Sequence, residues 1–521
     1  MVVTVNNRQP VRLEAISLMC LTVCVLSLLL VRLEAYPAPW FDEGLVLQAA
    51  KNLAFRGEYG LCSVEGCVPF HPAIQTGPTV ILPMALMFRI AGAGILQGRL
   101  VIVLYTVLAL ALFYVLVQKI CGRRVAFLAV LLLIFTFDHE FTSFVAMARQ
   151  VLGEVPALAF FWLGTMLWFR AWNDGRRSAL LWPGLLWGLT LLTKTQFVLI
   201  LPPALLAFWL FDWFSLRRLR IKHFLVPMLI SGLCVGAWYG YQAFSLGLAD
   251  FWDQSMALGS AGGLHLFHFD PRRMMTALSQ LVGSSLVLFG LPGMLYAVVS
   301  GLQSRKEHEH QQVFLIVFGL VWLGWYAALS IGWMRYAFVP AVIGSIFSAR
   351  LLGDLWDWAG QRVQISMGRL HLAPGQMAIA GIVVVLLLSG LIPMTRQIAR
   401  SPDSGLQELG QYLNTQVPID EVIESWEWEV DVLTDHAYHH PSYDVLNVFT
   451  ERLYYGVPVP PGTYDPLSYD PAYLIVGTFA KWTGVYDRDL LAQNCTPVES
   501  FGEYDLYRVS DKVTEDDNTG D

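Results

Sequence analysis

The sequence predicts an all-α, multi-pass membrane bundle that carries a small soluble α/β domain at its C-terminal end. Of 521 residues, 55% are hydrophobic and 14% are charged, with a mean hydropathy of +0.51, whereas soluble domains carry about 25% charged residues. Apolar stretches of about 20 residues, the length of a helical membrane span, recur up to residue 395. Residues 401–521 are instead acidic, with a charge balance of −18 against +11 for the rest.

The apolar stretches predict about eleven membrane spans. The first is not followed by a small-residue cleavage site, so we interpret it as an uncleaved anchor rather than a signal peptide. The predicted spans lie near residues 15–33, 98–118, 122–141, 151–171, 178–194, 196–214, 224–244, 275–300, 312–330, 335–352 and 376–395.

Short basic loops set the predicted orientation, because Lys and Arg favour cytoplasmic loops. The N-terminus of this inner (plasma) membrane protein is therefore expected in the cytoplasm. The loops at 32–97, 138–150 and 245–274 and the C-terminal domain are expected outside. The basic residues are scattered rather than gathered into one patch, so no nucleic-acid partner is expected. They include Arg8 and Arg12 and the clusters at 121–124, 174–177, 217–222 and 305–306.

The first external loop contains a further apolar segment at 78–93. Counting it as a crossing would invert the location of every later basic cluster. It is short and contains Pro78, Pro83 and Arg89, so we predict a helix that lies in the outer leaflet. Residues 44–56 have a similar partial apolar face, so the loop is predicted to hold two interfacial helices.

The composition divides the chain into four parts. Residues 1–395 form the predicted membrane domain, 396–403 a linker, 404–510 the soluble domain, and 511–521 a disordered acidic tail. Within the soluble domain, 472–477 is predicted as a buried strand, and the alternating pattern of 503–509 predicts an edge strand. Four side chains in it would suit carbohydrate binding, although packing inside the domain is favoured: Trp426, Trp428, Tyr438 and His439.

An acidic pair, Asp42 and Glu43, follows the first span directly. Charged groups at a membrane edge need water, a partner or a substrate. Asp42 could simply be the N-cap of a helix that begins near Gly44. The alternative is a general base, because a carboxylate beside Trp40 and Phe41 near lipid has its proton affinity raised by desolvation.

A second acidic position lies at the outer end of the fourth span. Glu154 opens a long apolar run and should face the bundle interior or a water-filled cavity. Arg149, close before it, could serve as an interface anchor. Asp138, His139 and Glu140 lie in the same loop, where solvation explains them as well as catalysis does.

Several basic residues at the predicted outer face could bind a phosphate. Arg335 and Lys194 are placed to do so, since a guanidinium grips phosphate with two parallel hydrogen bonds, although snorkelling to headgroups is an equal alternative. His71, with Gln75, could contact a phosphate or sugar or only fix a proline turn. Arg99 and Arg89 could bind lipid phosphate, and anchoring is the favoured role of Arg89.

The cysteines and histidines give weaker signals. Cys62 and Cys67 share the first loop and could form a disulfide if that loop is external. The segment 265–270 contains His265, His268 and Asp270, but its spacing fits no strong zinc signature. We therefore expect no metal or other cofactor.

Taken in order, these motifs resemble the GT-C superfamily of membrane glycosyltransferases, in particular the branch with protein O-mannosyltransferases and the lipid A aminoarabinose transferase. The resemblance covers about residues 10–395. One motif departs from it, since many members have Lys-Pro-Pro or His-Pro-Pro where this chain has His71-Pro-Ala. The matching motifs are Phe41-Asp-Glu43, His71-Pro with Gly77-Pro, Gly98-Arg-Leu100, Arg149 with Glu154, and Arg335-Tyr-Ala-Phe-Val-Pro340.

The resemblance implies a polyprenyl-phosphate-sugar donor in the membrane and an acceptor (protein, lipid or glycan) presented at the outer face. It implies that Asp42 is the catalytic carboxylate, beside Glu43, and that Glu154 is a second acidic site residue. We predict an inverting displacement with Asp42 as the base. The residues predicted to bind the donor phosphate are Arg149, Arg335, His71, Lys194 and Arg99.

Two other classes of protein remain open. A lipid-linked sugar flippase or other transporter also needs a polar cavity, but it places ionisable residues near the bilayer midplane. Here the acids lie at the predicted outer edge, which favours the transferase. A non-catalytic receptor with a carbohydrate-binding tail domain is the third alternative.

Overall fold

The computed structural model of this protein describes residues 9–136, 142–172, 177–304, 307–361, 365–367, 370–400 and 405–510. Predictions for Arg8, Asp138, His139, Glu140, the 305–306 pair and the 511–521 tail lie outside these residues. The helices are α1 Gln9–Leu30, α2 Phe41–Phe55, α3 Pro78–Ala91, α4 Ile95–Cys121, α5 Arg123–Phe135, α6 Phe144–Ala148, α7 Glu154–Ala171, α8 Leu181–Thr193, α9 Gln196–Phe211, α10 Lys222–Leu246, α11 Leu248–Leu266, α12 Pro271–Leu281, α13 Leu291–Ser304, α14 Glu307–Ala328, α15 Phe338–Gly360, α16 Pro374–Arg400, α17 Leu406–Gln416, α18 Trp428–Asp431, α19 Tyr443–Tyr455, α20 Thr478–Thr483 and α21 Arg488–Asn494. The strands are β1 Gly60–Ser63, β2 Gly66–Pro69, β3 Ile365–Met367, β4 Leu370–Leu372, β5 Val422–Ser425, β6 Ala437–His439, β7 Tyr473–Val476, β8 Cys495–Phe501 and β9 Tyr504–Val509.

The membrane domain is a helical bundle, as predicted. Among the described residues, six helices are long and apolar enough to cross a membrane, or seven if the bent pair formed by 271–281 and 286–301 is one span. Each predicted span falls on a described helix, but several of these helices, including α5 and α8, are shorter than a full crossing. The predicted number of eleven spans therefore stays a prediction.

The core of the bundle is built around α7, which packs against α4 and α8. Large aromatic side chains fill it: Trp162 and Trp168 are fully buried, and Phe161 stacks on Phe318 of α14 with ring centroids 4.5 Å apart. Aromatic side chains bury a large area each, so this layer fixes the helices that carry the polar residues at one end of the bundle.

The segment between α1 and α4 contains the two predicted helices, α2 and α3. It also contains a hairpin of β1 and β2 that the sequence analysis did not predict. In this hairpin Cys62 lies opposite Cys67, and the two form a disulfide. Helix α2 begins at Phe41, earlier than the start predicted at residue 44.

The C-terminal domain contains a five-stranded mixed sheet in the order β6-β5-β7-β9-β8. The predicted buried strand is β7. The segment predicted as an edge strand is β9. Its predicted position at the edge of the sheet is wrong, because β8 pairs with β9 on the outer side. The alternating pattern of β9 shows one buried face, and such a pattern also suits an interior strand with one open face. The four residues considered for carbohydrate binding, Trp426, Trp428, Tyr438 and His439, are all buried.

The soluble domain lies directly on α2. Phe41 stacks on Phe479 with ring centroids 3.8 Å apart. Farther along α2, Gln48 Nε2 donates to Asp431 Oδ2 at 2.6 Å, and Lys51 Nζ lies 3.5 Å from Asp431 Oδ1. Although burial opposes ionisation, hydrogen bonding from His440 and the charge of Lys51 hold the pKa of Asp431 below its usual value.

The connection between the two domains is partly helical rather than a free linker. Helix α16 continues to Arg400, through the first part of the predicted linker. The guanidinium of Arg32 donates to the carbonyl of Ala399 at 2.8 Å, which ties the end of α16 to the end of α1.

Close contact between α2 and the soluble domain depends on a glycine. A Cβ atom added at Gly44 would lie 2.3 Å from the backbone nitrogen of Glu429. We therefore expect Gly44→Val to force the domains apart and to destabilise the protein by about 1–3 kcal/mol or more, as overpacking does. A lower melting temperature of the purified, detergent-solubilised protein would show this.

The matched control is Gly232→Val in α10. No atom lies within 4 Å of the Cβ position at Gly232. Equal melting temperatures for the two variants would contradict the importance of this contact.

Candidate active site

Four charged side chains from separate parts of the chain meet where α2 contacts the bundle. Arg335 lies at their centre: its Nη1 is 2.6 Å from Asp42 Oδ2, and its Nε is 3.3 Å from Glu154 Oε1. Lys194 Nζ lies 3.1 Å from the same Glu154 oxygen. Arg335, Glu154 and Lys194 are almost fully buried, whereas the Asp42 side chain is 26% exposed. The centre therefore opens to its surroundings at Asp42.

Local structure positions each member of this centre. Asp42 lies in the first turn of α2, whose N-cap is Trp40, so the N-cap role considered for Asp42 is not what the structure shows. Glu154 is the first residue of α7, where the helix dipole favours a negative charge. Lys194 follows the last residue of α8, and Arg335 lies in the short turn before α15.

Aromatic rings surround the central guanidinium. Arg335 Cζ lies 4.2 Å from the centroid of Trp333 and 5.8 Å from that of Trp40. Stacking over aromatic faces stabilises an arginine charge and orients its planar fork. The rings thus hold Arg335 in position between the two carboxylates.

The segment that precedes α3 packs against the break between α8 and α9. Thr76 pairs with Lys194 as an isolated bridge, and the backbone nitrogen of Gly77 donates to the Thr193 carbonyl at 3.2 Å. A Cβ atom at Gly77 would lie 1.6 Å from the Leu192 carbonyl oxygen, so only glycine fits here. This contact fixes the backbone next to Lys194.

A cavity of about 270 Å³ lies beside the centre, and its lining includes His71, Gln75, Trp238 and Tyr336. Burial lowers the pKa of His71 to about 4, so its ring is neutral at pH 7. The Nδ1 atom of His71 accepts a hydrogen bond from the Ala73 backbone nitrogen at 3.1 Å. His71 therefore lines the cavity as an uncharged ring, and its role as a phosphate ligand stays a prediction.

Glu43, the neighbour of Asp42, does not join the centre. It points to the opposite side of α2, is fully buried, and forms a bidentate pair with Arg99 at 2.7 and 2.6 Å. It also accepts a hydrogen bond from the Val151 backbone nitrogen at 3.0 Å. Glu43 and Arg99, predicted as a catalytic residue and a phosphate ligand, instead join α2 to α4 and to the turn before α7.

Arg149, another predicted phosphate ligand, uses its guanidinium to donate hydrogen bonds to backbone carbonyls. Its guanidinium donates to Tyr36 O at 2.7 Å, to Val31 O and Arg32 O at 2.8 Å, and to Leu28 O. These carbonyls belong to the last turn of α1 and to the segment after it, where a cation also complements the helix dipole. Since Arg149 is fully buried, its surroundings support a structural role.

A further cation near the centre was missed by the sequence analysis. Arg273, in the first turn of α12, lies with its Cζ 5.1 Å from the ring of Tyr454 and 5.8 Å from that of Tyr455. Burial, together with the nearby charge of Asp42, raises the pKa of Tyr454 to about 12. Tyr454 and Tyr455 belong to the soluble domain, so no local sequence pattern indicates the surroundings of Arg273.

Among the described residues, few side chains are grouped so that they could ligate a metal ion. Their one cluster of at least three potential ligands consists of Glu58 with Cys62 and Cys67, and the two cysteines form the disulfide. Within the segment considered earlier, Asp270 is the N-cap of α12 and accepts from the Arg272 backbone nitrogen at 2.8 Å. The side chain of His265 lies outside the described residues.

The site thus lies where the short helix α2 joins the helical bundle and where the soluble domain packs on that helix. Residues 71–239 match the family described as dolichyl-phosphate-mannose-protein mannosyltransferase. This match agrees with the resemblance stated from the sequence.

Two solved structures are similar in fold. ArnT from Cupriavidus metallidurans bound to undecaprenyl phosphate has a TM-score of 0.60 at 12% identity, and the match covers 94% of this chain and 97% of that one. The archaeal oligosaccharyltransferase AglB from Archaeoglobus fulgidus, in complex with an inhibitory peptide and a dolichol-phosphate, has a TM-score of 0.52 at 12% identity, with coverages of 94% and 74%. No curated protein sequence matches the chain. At these identities the likeness is one of fold.

The buried pair of Glu43 and Arg99 makes a prediction about stability. Arg99→Ala leaves an uncompensated buried carboxylate, which typically costs about 3–5 kcal/mol. We expect the purified variant to lose folded protein on size-exclusion chromatography and to melt well below the wild type.

Arg89→Ala is the control, because Arg89 is exposed and donates only to the carbonyl of Ala54. Wild-type stability for Arg99→Ala would refute the structural role of the pair.

Proposed function

We propose that this protein transfers a sugar from a polyprenyl-phosphate donor to an acceptor hydroxyl at the outer face of the membrane. The observation that carries the proposal is the contact of Arg335 with both Asp42 and Glu154 beside a cavity whose lining includes His71. The family match and the two similar folds, both solved with a lipid phosphate, support it. The sugar and the acceptor are left open.

In this proposal Asp42 is the general base. The acceptor oxygen attacks the anomeric carbon from the face opposite the phosphate, and the bond between that carbon and the phosphate oxygen breaks. Asp42 takes the hydroxyl proton, and the lipid phosphate leaves with the bonding electrons, so the anomeric configuration inverts. Asp42 suits the role because it is the member of the centre with an exposed side chain.

The leaving phosphate needs positive charge that the centre does not have in excess. Asp42 and Glu154 balance Arg335 and Lys194, so these four residues are neutral together. Among the described residues, Arg273 has no carboxylate partner, and its guanidinium lies over the ring of Tyr454. We assign Arg335, Lys194 and Arg273 to the phosphate, where charge stabilisation is usually the largest catalytic term.

We assign the centre to the extracytoplasmic side of an inner (plasma) membrane. The basic loops at 121–124 and 217–222 favour this orientation by the positive-inside rule. The Cys62–Cys67 disulfide, on the same side as the centre, also supports it, because disulfides persist in oxidising compartments.

Asp42→Asn is the direct test of the base. We expect transfer of labelled sugar from a polyprenyl-phosphate donor to fall about 10²- to 10⁴-fold, the usual contribution of general-base catalysis. The melting temperature should fall as well, because the amide removes one of the two carboxylate charges that face the buried Arg335, so the rate is compared per amount of folded protein.

Asp253→Asn is the matched control, because this carboxylate is exposed on α11, away from the centre. Transfer at the wild-type rate by Asp42→Asn would remove Asp42 from the mechanism.

Arg273→Ala tests whether Arg273 supplies the positive charge that the four-residue centre does not have in excess. A hydrogen bond to a charged group contributes about 1.5–3 kcal/mol, so we expect the KM for the donor to rise roughly 10- to 100-fold. Donor titration in detergent-solubilised enzyme measures this.

Arg272→Ala removes the same side chain from the next, exposed position. If both variants keep the wild-type KM, the phosphate does not reach Arg273.

A further inference from the structure

A large cleft opens in the soluble domain, away from the charged centre. It lies between the segment after α19, the helices α20 and α21, and strands β8 and β9. Its volume is about 1330 Å³, above the ~300–1,000 Å³ that is usual for small-molecule sites. A cleft of this size and shape suits an extended ligand rather than a single compact molecule.

The charges that line the cleft cancel. Three cations, Arg452, Lys481 and Arg488, face three carboxylates, Asp487, Asp489 and Asp505. Lys481 Nζ pairs with Asp505 Oδ2 at 2.8 Å, and Asp505 Oδ1 also accepts from Ser500 Oγ at 2.6 Å. A net field of one sign would favour a charged ligand. Its absence favours a neutral ligand that uses the many donors and acceptors.

Tyrosine rings supply the apolar part of the lining. Tyr464 and Tyr507 are both half-buried, and Tyr464 is held in place by a hydrogen bond from its hydroxyl to Glu424. Tyrosine combines a rigid apolar face with a polar tip. Each sugar ring of an oligosaccharide presents the matching surfaces, an apolar C–H face and a hydroxyl edge. A peptide or an aliphatic chain does not combine both surfaces in every repeating unit.

A cluster of aromatic rings, most of them buried, lies between the cleft and the start of α2. Phe449 lines the cleft and packs against Trp426 with ring centroids 5.6 Å apart. Trp482, 50% exposed, lies 6.3 Å from Tyr454 and 5.6 Å from Phe479. Phe479 in turn stacks on Phe41, the residue before Asp42. Trp482 is thus the exposed ring of an otherwise largely buried aromatic cluster that reaches the residue before Asp42.

We propose that the cleft binds a neutral oligosaccharide chain, and that Trp482 guides the end of this chain toward Asp42 as the acceptor. The acceptor role rests on the proposed transferase function, whereas the binding of the chain to the cleft does not. The proposal thus names the acceptor class as a glycan rather than a protein or a lipid.

Two neighbouring positions on α21 allow a matched test. Ala492 lines the cleft, and Gln493, also exposed, lies outside that lining. Binding of linear hexasaccharides of glucose and of mannose to the purified full-length protein is measured by calorimetry. We expect wild type and Gln493→Trp to bind at least one of them, and Ala492→Trp to bind it at least tenfold more weakly.

Arg452→Ala, which removes hydrogen-bond donors from the opposite wall, should weaken binding as well and covers the case in which Ala492→Trp misfolds. Asp42→Asn should bind like wild type, so failure of catalysis and failure of binding are told apart. The proposal is overturned if wild type binds neither hexasaccharide, if Ala492→Trp binds like wild type, or if only a polyanionic hexasaccharide or a Ser/Thr-containing peptide binds.

Discussion

The arrangement of the site depends on one buried guanidinium that is shared by two carboxylates. Arg335 is 2% exposed and contacts Asp42 and Glu154, which come from helices far apart in sequence. Removing a single partner from such a buried network leaves a charge without compensation, which is strongly unfavourable. The turn before α15, the start of α7 and the start of α2 are therefore held in one relative position by electrostatics as well as by packing.

Helix α2 transmits this constraint to the rest of the molecule, because its sides make different contacts. Asp42 faces the centre, Glu43 pairs with Arg99 of the bundle, and Gly44 lies against the soluble domain. Three successive residues thus belong to the site, to the bundle and to the domain interface. A movement of the soluble domain would have to move Asp42 or break the contact at Gly44, so the position of Asp42 is coupled to domain packing.

The sequence predicted the class of fold and the two helices between the first spans, because hydropathy and basic loops are local signals. It could not separate arginines with a structural role from the arginine of the charged centre. Arg99, Arg149 and Arg335 all lie at span ends. Arg99, however, pairs with Glu43, and Arg149 donates to backbone carbonyls at and after the end of α1. Their partners are set by tertiary packing. For the same reason Arg273 was missed, since its surroundings come from α19, 180 positions away along the chain.

The distinction between the arginines follows from what each guanidinium has left to offer. Arg149 uses its donors on four carbonyls, so a phosphate would have to replace contacts that cap α1. The contacts of Arg335 are with carboxylates, and one of these, Asp42, is the group that would carry a proton after transfer. Once Asp42 is protonated, its attraction for Arg335 falls while the charge on the leaving phosphate rises. The same guanidinium can then follow the negative charge from base to leaving group without any change in its own protonation, which lysine or histidine would not guarantee.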